Sequence, residues 1–333
     1  MSETYPAHDT TETGTTDALS KMAETPQLAY APAKRGTVGR FGDRVGIGIA
    51  LFSLYVIWGS TYLGMRFALE SFPPFLMAGI RFLIAGSLLY SVLRLRGVAS
   101  PTRAQWVGAA LVGTLLLAGG NGGIAFAEQW VASGLAAVAV AAVPLWTTFL
   151  IGLTGRWPSR IEWLGLVLGF GGVLLLNVGN NVWATPVGAV ALLLGPFCWA
   201  SGSALSSRVS LPPGLMSSAA QMIVGGVVML PIGLLTGERI THAPTWNALW
   251  AMLFLVLFGS LVAFSAYGYL LKRVRPTLAT SYAYVNPAVA LGLGALLAGE
   301  RLTLFGVLAM LVILTGVGLV SLGKGRKRGS IEH

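Results

Sequence analysis

The chain has 333 residues, 55% of them apolar and only 10% charged, with 44 glycines, a mean hydropathy of +0.73 and a net charge of +10. An ordinary soluble surface needs about a quarter of its residues charged, so this composition excludes a soluble globular protein. The basic residues are scattered between apolar runs with no aromatic-interleaved patch, which excludes a nucleic-acid partner; the single Cys198, inside an apolar run, excludes an intrachain disulfide.

Residues 1–44 are rich in Thr, Ser, Ala and Pro and hold too few aliphatics to offset ordering entropy, so a disordered tail is expected there. The stretch lacks the form of a cleavable signal peptide. Ten apolar runs follow at 46–67, 74–94, 106–127, 133–153, 161–178, 187–207, 214–236, 247–271, 277–297 and 302–322, and residues 324–333 form a basic tail. A bilayer takes about 20 residues of helix, and backbone groups in lipid must bond within their own segment, so the runs read as transmembrane helices of an all-α integral membrane protein. The lipid bilayer is the first expected partner.

The first run interrupts itself with "WGSTYLGMRF", placing Trp58, Ser60, Thr61 and Tyr62 at mid-span and Arg66 near its end. Small hydroxylated residues allow close helix packing or return a bond to their own backbone; the alternative is a cavity wall. In the second run Arg81 sits about eight residues in, roughly 12 Å deep at helical rise. A guanidinium there costs at least about 2.5 kcal/mol on insertion scales, so it faces the protein interior. It is either a substrate anchor or gating partner of Glu70, Glu128 or Glu300, or a fixed bond to backbone carbonyls.

In the third run Asn121 is flanked by Gly119, Gly120, Gly122 and Gly123, a cluster that loosens a helix toward a cavity or allows a close crossing. Glu128 and Gln129, at its end, are expected at an aqueous mouth. Pro144 in the fourth run and Pro287 in the ninth remove intrahelical bonds and predict kinks, which serve either as two hinges or as fixed bends of a static bundle. The sixth run carries Trp199, Ser201 and Ser203; the eighth, Tyr267 and Tyr269; the ninth, Ser281, Tyr282, Tyr284 and Asn286. Trp58 and Trp199 lie away from the interfacial belt that tryptophan prefers and are expected to line two sides of a cavity, stacking on a planar ligand.

The two halves of the chain, 45–180 and 185–323, resemble each other. Aligning Ala136 with Ala279 sets Pro144 beside Pro287, Gly172 and Val173 match Gly316 and Val317, and "WGSTYLG" faces "WASGSAL". Five runs per half is odd, so the second copy is expected upside down, the architecture by which many secondary carriers build a midplane site. With both termini cytoplasmic, 18 of the 22 Lys and Arg fall on the inner side.

Several strings resemble a known family: "IWGSTYLGMRFALESFPPFLMAGIRFLIAG" at 57–86, "GGNGGIAFAEQ" at 119–129, "SSRVSLPPGLM" at 206–216, and the stretches 132–145 and 277–290. They are similar to the drug/metabolite transporter superfamily, EamA type, nearest its YedA-type exporters. The resemblance implies a ten-helix bundle of two inverted five-helix repeats in a bacterial inner membrane, with a central cavity for a small organic substrate. One departure is visible. Many relatives close both repeats with Gly-Glu, whereas the first repeat here has Gly155 and Arg156, and Gly299 and Glu300 keep the pattern.

The expected function is therefore secondary transport of a small organic metabolite, amino acid or drug-like compound by alternating access, in the direction of export. The alternatives are a facilitated-diffusion uptake carrier and, behind it, a membrane-embedded enzyme. No Walker-type loop supports ATP use. His8, His242 and His333 lie in loops or tails, and no aspartate follows Asp43, so neither catalysis nor a metal or other cofactor is expected.

Overall fold

The computed structural model describes residues 41–153, 159–179, 186–274, 282–301 and 303–329; most of the expected amino-terminal tail, the 275–281 stretch and Arg156 lie outside them. All regular structure among these residues is helical. In chain order the helices are α1 (Arg44–Ala68), α2 (Pro74–Leu95), α3 (Arg103–Ala127), α4 (Ser133–Leu150), α5 (Arg160–Gly179), α6 (Pro186–Leu205), α7 (Leu215–Leu235), α8 (Trp246–Leu270), α9 (Tyr282–Leu297) and α10 (Leu304–Gly329). Seven are long and apolar enough to cross a membrane, namely α1 to α4 and α6 to α8. Shorter apolar stretches occupy Val285–Leu297 and Leu304–Gly316.

Helix starts and stops follow local chemistry. Thr102 and Gln105 form a reciprocal capping box on α3, Thr245 caps α8 through the Ala248 N–H, and Pro74 opens α2 where a missing N–H costs nothing. Gly237 after α7 and Gly299 after α9 take φ of 85° and 63°, a left-handed stop that a β-carbon would strain. The connections 69–73, 128–132, 236–245 and 298–301 gather at one end, here the upper end; 96–102 and 206–214 lie at the lower. Ser71 ties the first to the third, its Oγ accepting from the Thr245 N–H at 3.1 Å.

Two antiparallel pairs are seamed by glycine. Where α2 crosses α7, a β-carbon on Gly86 would sit 2.7 Å from the Ile223 nitrogen, and one on Gly226 2.7 Å from that of Leu83. Where α5 crosses α10, one on Gly316 would sit 2.6 Å from the Gly165 carbonyl oxygen. Lipid supplies no hydrophobic drive between helices, so such close backbone approach, with its dispersion contacts, holds the pairs together. Large apolar side chains such as Ile49, Phe52, Val107, Val167 and Leu234 face outward, and Trp130, Trp246 and Trp250 are exposed at helix ends, as an interfacial belt requires.

These seams predict that Gly86→Val or Gly226→Val lowers stability by about 1–3 kcal/mol through overpacking against backbone that cannot yield. Gly48→Ala, with open space around it, leaves stability unchanged or slightly raised. Thermal unfolding of the purified protein in detergent distinguishes the two outcomes.

Candidate functional site

Three helices widen to π-helical turns at the same depth: Ser53–Trp58 in α1, Thr114–Gly122 in α3 and Leu255–Val262 in α8. Such bulges shift side-chain register and free backbone carbonyls, and they recur at functional sites. Those of α1 and α8 face each other. The Trp58 indole N–H donates to the Gly259 carbonyl at 3.1 Å, and the Arg81 Nε donates to the Ser260 hydroxyl at 2.8 Å. With its amide nitrogen turned to donate, Asn286 reaches the carbonyls of Tyr282 and, in the α1 bulge, Leu54, both at 3.2 Å.

Between these turns and the upper end lies a cavity. Trp58, Thr61, Tyr62, Arg81, Asn121, Trp199, Tyr282 and Asn286 line it, so eight of the side chains expected from the sequence come together. Met65, Gly120, Ile124, Val140, Val143, Gly195 and Pro196 complete the wall; Gly120 belongs to the glycine cluster already singled out around Asn121, Pro196 lies inside α6, and the others, apolar or small residues in apolar runs, carried no signal. Arg81 is 2% exposed, and its guanidinium also lies over the Phe82 ring at 4.7 Å.

Two expected residues face elsewhere. The Ser60 hydroxyl donates to the carbonyls of Val56 and Ile57 at 2.8 Å, and the Ser201 hydroxyl to that of Phe197 at 2.8 Å; both are spent on their own helices and neither reaches the cavity. The packing alternative holds for them. Thr61 bonds the Trp58 carbonyl at 2.6 Å while its side chain still lines the cavity. Tyr267 belongs to a second cavity at the lower end, lined also by Ser203, Pro212, Ser218, Gln221 and Phe264.

A layer of four rings separates the two cavities. Trp58 meets Tyr282 edge-on at 4.9 Å between centroids, Tyr267 at 5.3 Å and Trp199 at 5.9 Å, and Tyr267 meets Tyr282 at 5.9 Å. Trp58 and Trp199 stand at 86° to each other, so they form a corner of the wall instead of two parallel faces. Pro144, which lacks an N–H, follows a break in α4 at Ala141 and Ala142; Pro287 lies inside α9.

Glu128 corrects an expectation. Its side chain is fully buried and does not sit at an aqueous mouth; the Arg66 Nη1 donates to its backbone carbonyl at 3.2 Å, across from α1. Gln129 beside it is exposed. Two other carboxylates clip helix starts at the upper end. Glu238 accepts from the Phe75 and Leu76 N–H groups of α2 at 3.1 and 2.8 Å. Glu300 accepts from the Ser133 N–H at 2.9 Å, the Ser133 hydroxyl at 3.0 Å and the Gly134 N–H at 3.3 Å, joining the end of α9 to the start of α4. Each satisfies N–H groups that a helix start leaves unpaired and sets a negative charge against the positive end of its dipole.

Residues 46–178 and 186–322 match the EamA-like transporter family. The chain belongs to that family. The uncharacterized inner membrane transporter YedA of Escherichia coli K12 is 47% identical over 286 residues, covering 86% of this chain and 94% of that one. The protein PecM of Dickeya dadantii is 29% identical, covering 83% and 94%. A solved crystal structure 19% identical to this chain superposes with a TM-score of 0.60 over 83% of this chain and 97% of that one, a likeness of fold. The drug/metabolite transporter resemblance, of YedA type, thus stands, and membership of the EamA family marks a membrane transporter in place of an enzyme.

If Glu300 holds the upper end shut, Glu300→Ala opens it. Losing a charged acceptor of three hydrogen bonds costs about 1–3 kcal/mol, so a cysteine placed at the buried Ala136, with native Cys198 replaced by Ala, should react with a thiol reagent at least about five-fold faster. An unchanged rate would remove the latch role.

Proposed function

We propose that this chain is a secondary carrier that moves a small organic solute across a bacterial inner membrane by alternating access, with export as its direction. The carrying observation is that two cavities approach from opposite ends and meet at one layer of aromatic rings. Such a layer can part without unfolding either side, each ring contact adding about 0.5–1.5 kcal/mol beyond burial. In this reading the upper cavity is the substrate site, the rings are its lower door, and the Glu300 clip with the Arg66 contact keeps the upper door closed.

The proposed architecture is ten membrane helices in two inverted five-helix repeats. Reciprocal packing supports it: α1 lies against α8 and α9, and its counterpart α6 lies against α3 and α4. Pro144 and Pro287 then occupy equivalent places in α4 and α9 and serve as paired hinges. The lower end is cytoplasmic, as both termini are, because Arg94, Arg96, Arg103 and Arg208 gather there.

The test is flux of a metabolite panel in proteoliposomes. Wild type should move at least one solute down an imposed gradient, while Trp58→Ala and Tyr282→Ala, checked for folding by gel filtration, should lower the rate about ten-fold or more, the scale of a lost positioning group. Absence of flux for every solute sinks the carrier reading; unaltered flux in both variants sinks the site.

A further inference from the structure

Among the described residues, the buried side-chain nitrogen and oxygen atoms without a hydrogen-bond partner are the Arg81 Nη1, the Asn121 Oδ1, the Trp199 Nε1 and both carboxylate oxygens of Glu128. More than nine in ten buried polar groups in folded proteins are paired. Arg81, Asn121 and Trp199 all line the upper cavity. A cluster of unpaired groups around one space indicates what the space holds.

Two of the three atoms can only donate. The Arg81 guanidinium is held in place by its Nε bond to Ser260 and by the Phe82 ring, leaving Nη1 to spare; the indole N–H of Trp199 can only donate, and the Tyr282 hydroxyl lies near it without meeting hydrogen-bond geometry. The Asn121 amide, by turning, can offer either an oxygen or an N–H. The remaining wall is aromatic and aliphatic. We infer that the upper cavity binds a monocarboxylate with an apolar, planar body, its carboxylate on Arg81 and Trp199 and its ring among the aromatic side chains. One fixed cation suits one negative charge; a phosphate monoester would bring nearly two.

Glu128 bears on the same charge balance. It stands just beyond the α3 span, faced by Arg66 and Tyr62 from α1, Arg81 from α2 and Glu300 at the end of α9. Burial first, then the Glu300 carboxylate, pushes its carboxyl well above the usual range, opposed by Arg66 and Arg81. A neutral Glu128 leaves the Arg81 charge free for the ligand. Raising the pH through that elevated value ionises Glu128 and gives Arg81 an internal counter-ion, so affinity falls as pH rises.

This assignment rests on the carrier reading of the same cavity, and calorimetric titration of the full chain in detergent separates the two. The probes are phenylacetate, phenylacetamide and phenethylammonium, which share a ring and differ in charge. Phenylacetate should bind at least about ten-fold tighter than the amide, the worth of a hydrogen bond to a charged group. Arg81→Gln should erase that preference, and Trp199→Phe, which keeps a ring and removes the N–H, should weaken phenylacetate alone about three-fold or more. Glu128→Gln should flatten the pH dependence. Equal binding of acid and amide, preference for the ammonium, no binding of phenylacetate, or a preference surviving Arg81→Gln overturns the anion assignment. Flux of the amide or the ammonium without the acid would do so while leaving the carrier intact; tight phenylacetate binding with no flux of any solute would keep the site and remove the carrier.

Discussion

The Arg81 guanidinium lies inside an apolar helix where no bulk water reaches it, and the structure around it is arranged to make that tolerable. A charge at such depth persists only if it faces protein and finds donors, acceptors or π-faces there. Ser260 supplies an acceptor because the α8 bulge turns its hydroxyl toward α2, and Phe82 supplies a ring from the next residue of the same helix. Gly259 is required as well. A β-carbon there would meet the guanidinium nitrogen Nη2 at 2.9 Å and the Thr61 methyl at 2.8 Å. Placement of one cation therefore constrains α1, α2 and α8 together, and the cavity is the space these constraints leave beside α3, α6 and α9.

The glycine seams act on the same problem from outside. Because α2 and α7 touch backbone to backbone, α2 cannot rotate to carry Arg81 toward lipid. Glu238 reinforces the pair by holding the first N–H groups of α2. The α3 and α6 contact is also set by glycine, here against side chains: a β-carbon on Gly119 would meet the Cys198 Cβ at 2.8 Å, and one on Gly202 would meet the Leu116 side chain at 2.9 Å. Small residues that contribute no chemistry decide where the chemical residues stand.

Helix positions and the polar side chains at mid-span were legible in the sequence, since both follow from hydropathy and from the cost of polar groups in lipid. The π turns were not, because the bulge is a backbone response to packing; Gly259 and Ser260 repeat the Gly59 and Ser60 pair of the first run, yet nothing in that repetition identified Ser260 as the partner of Arg81. Ser60 and Ser201 illustrate the converse. A hydroxyl in a span has two outlets, its own preceding turn or a neighbour, and composition cannot choose between them. Glu128 was misplaced because a carboxylate at a span end usually meets water, and only the fold reveals that the surrounding helix ends close over it.

The two ends of the bundle are not chemically equivalent, and the difference bears on how such a protein would move. At the upper end a glycine in left-handed conformation is followed by a carboxylate twice, Gly237 with Glu238 and Gly299 with Glu300, and each carboxylate clips the start of another helix. At the lower end Gly97 makes the same turn after α2, but Val98 follows it and offers no acceptor side chain. Gly155 and Arg156, after α4, lie outside the described residues. The clips differ in what they join: Glu238 binds the glycine-seamed α2 and α7, whereas Glu300 joins α9 to α4, both of which contribute to the wall of the upper cavity. Separating the first pair would break a backbone seam along much of two helices. Separating the second breaks three hydrogen bonds and a close contact in which a β-carbon on Gly134 would sit 2.6 Å from a Leu291 methyl and 3.1 Å from its Cα. Within the proposed carrier cycle, the α4 and α9 junction is the side assigned to open, because Pro144 and Pro287 weaken the backbone ladder there.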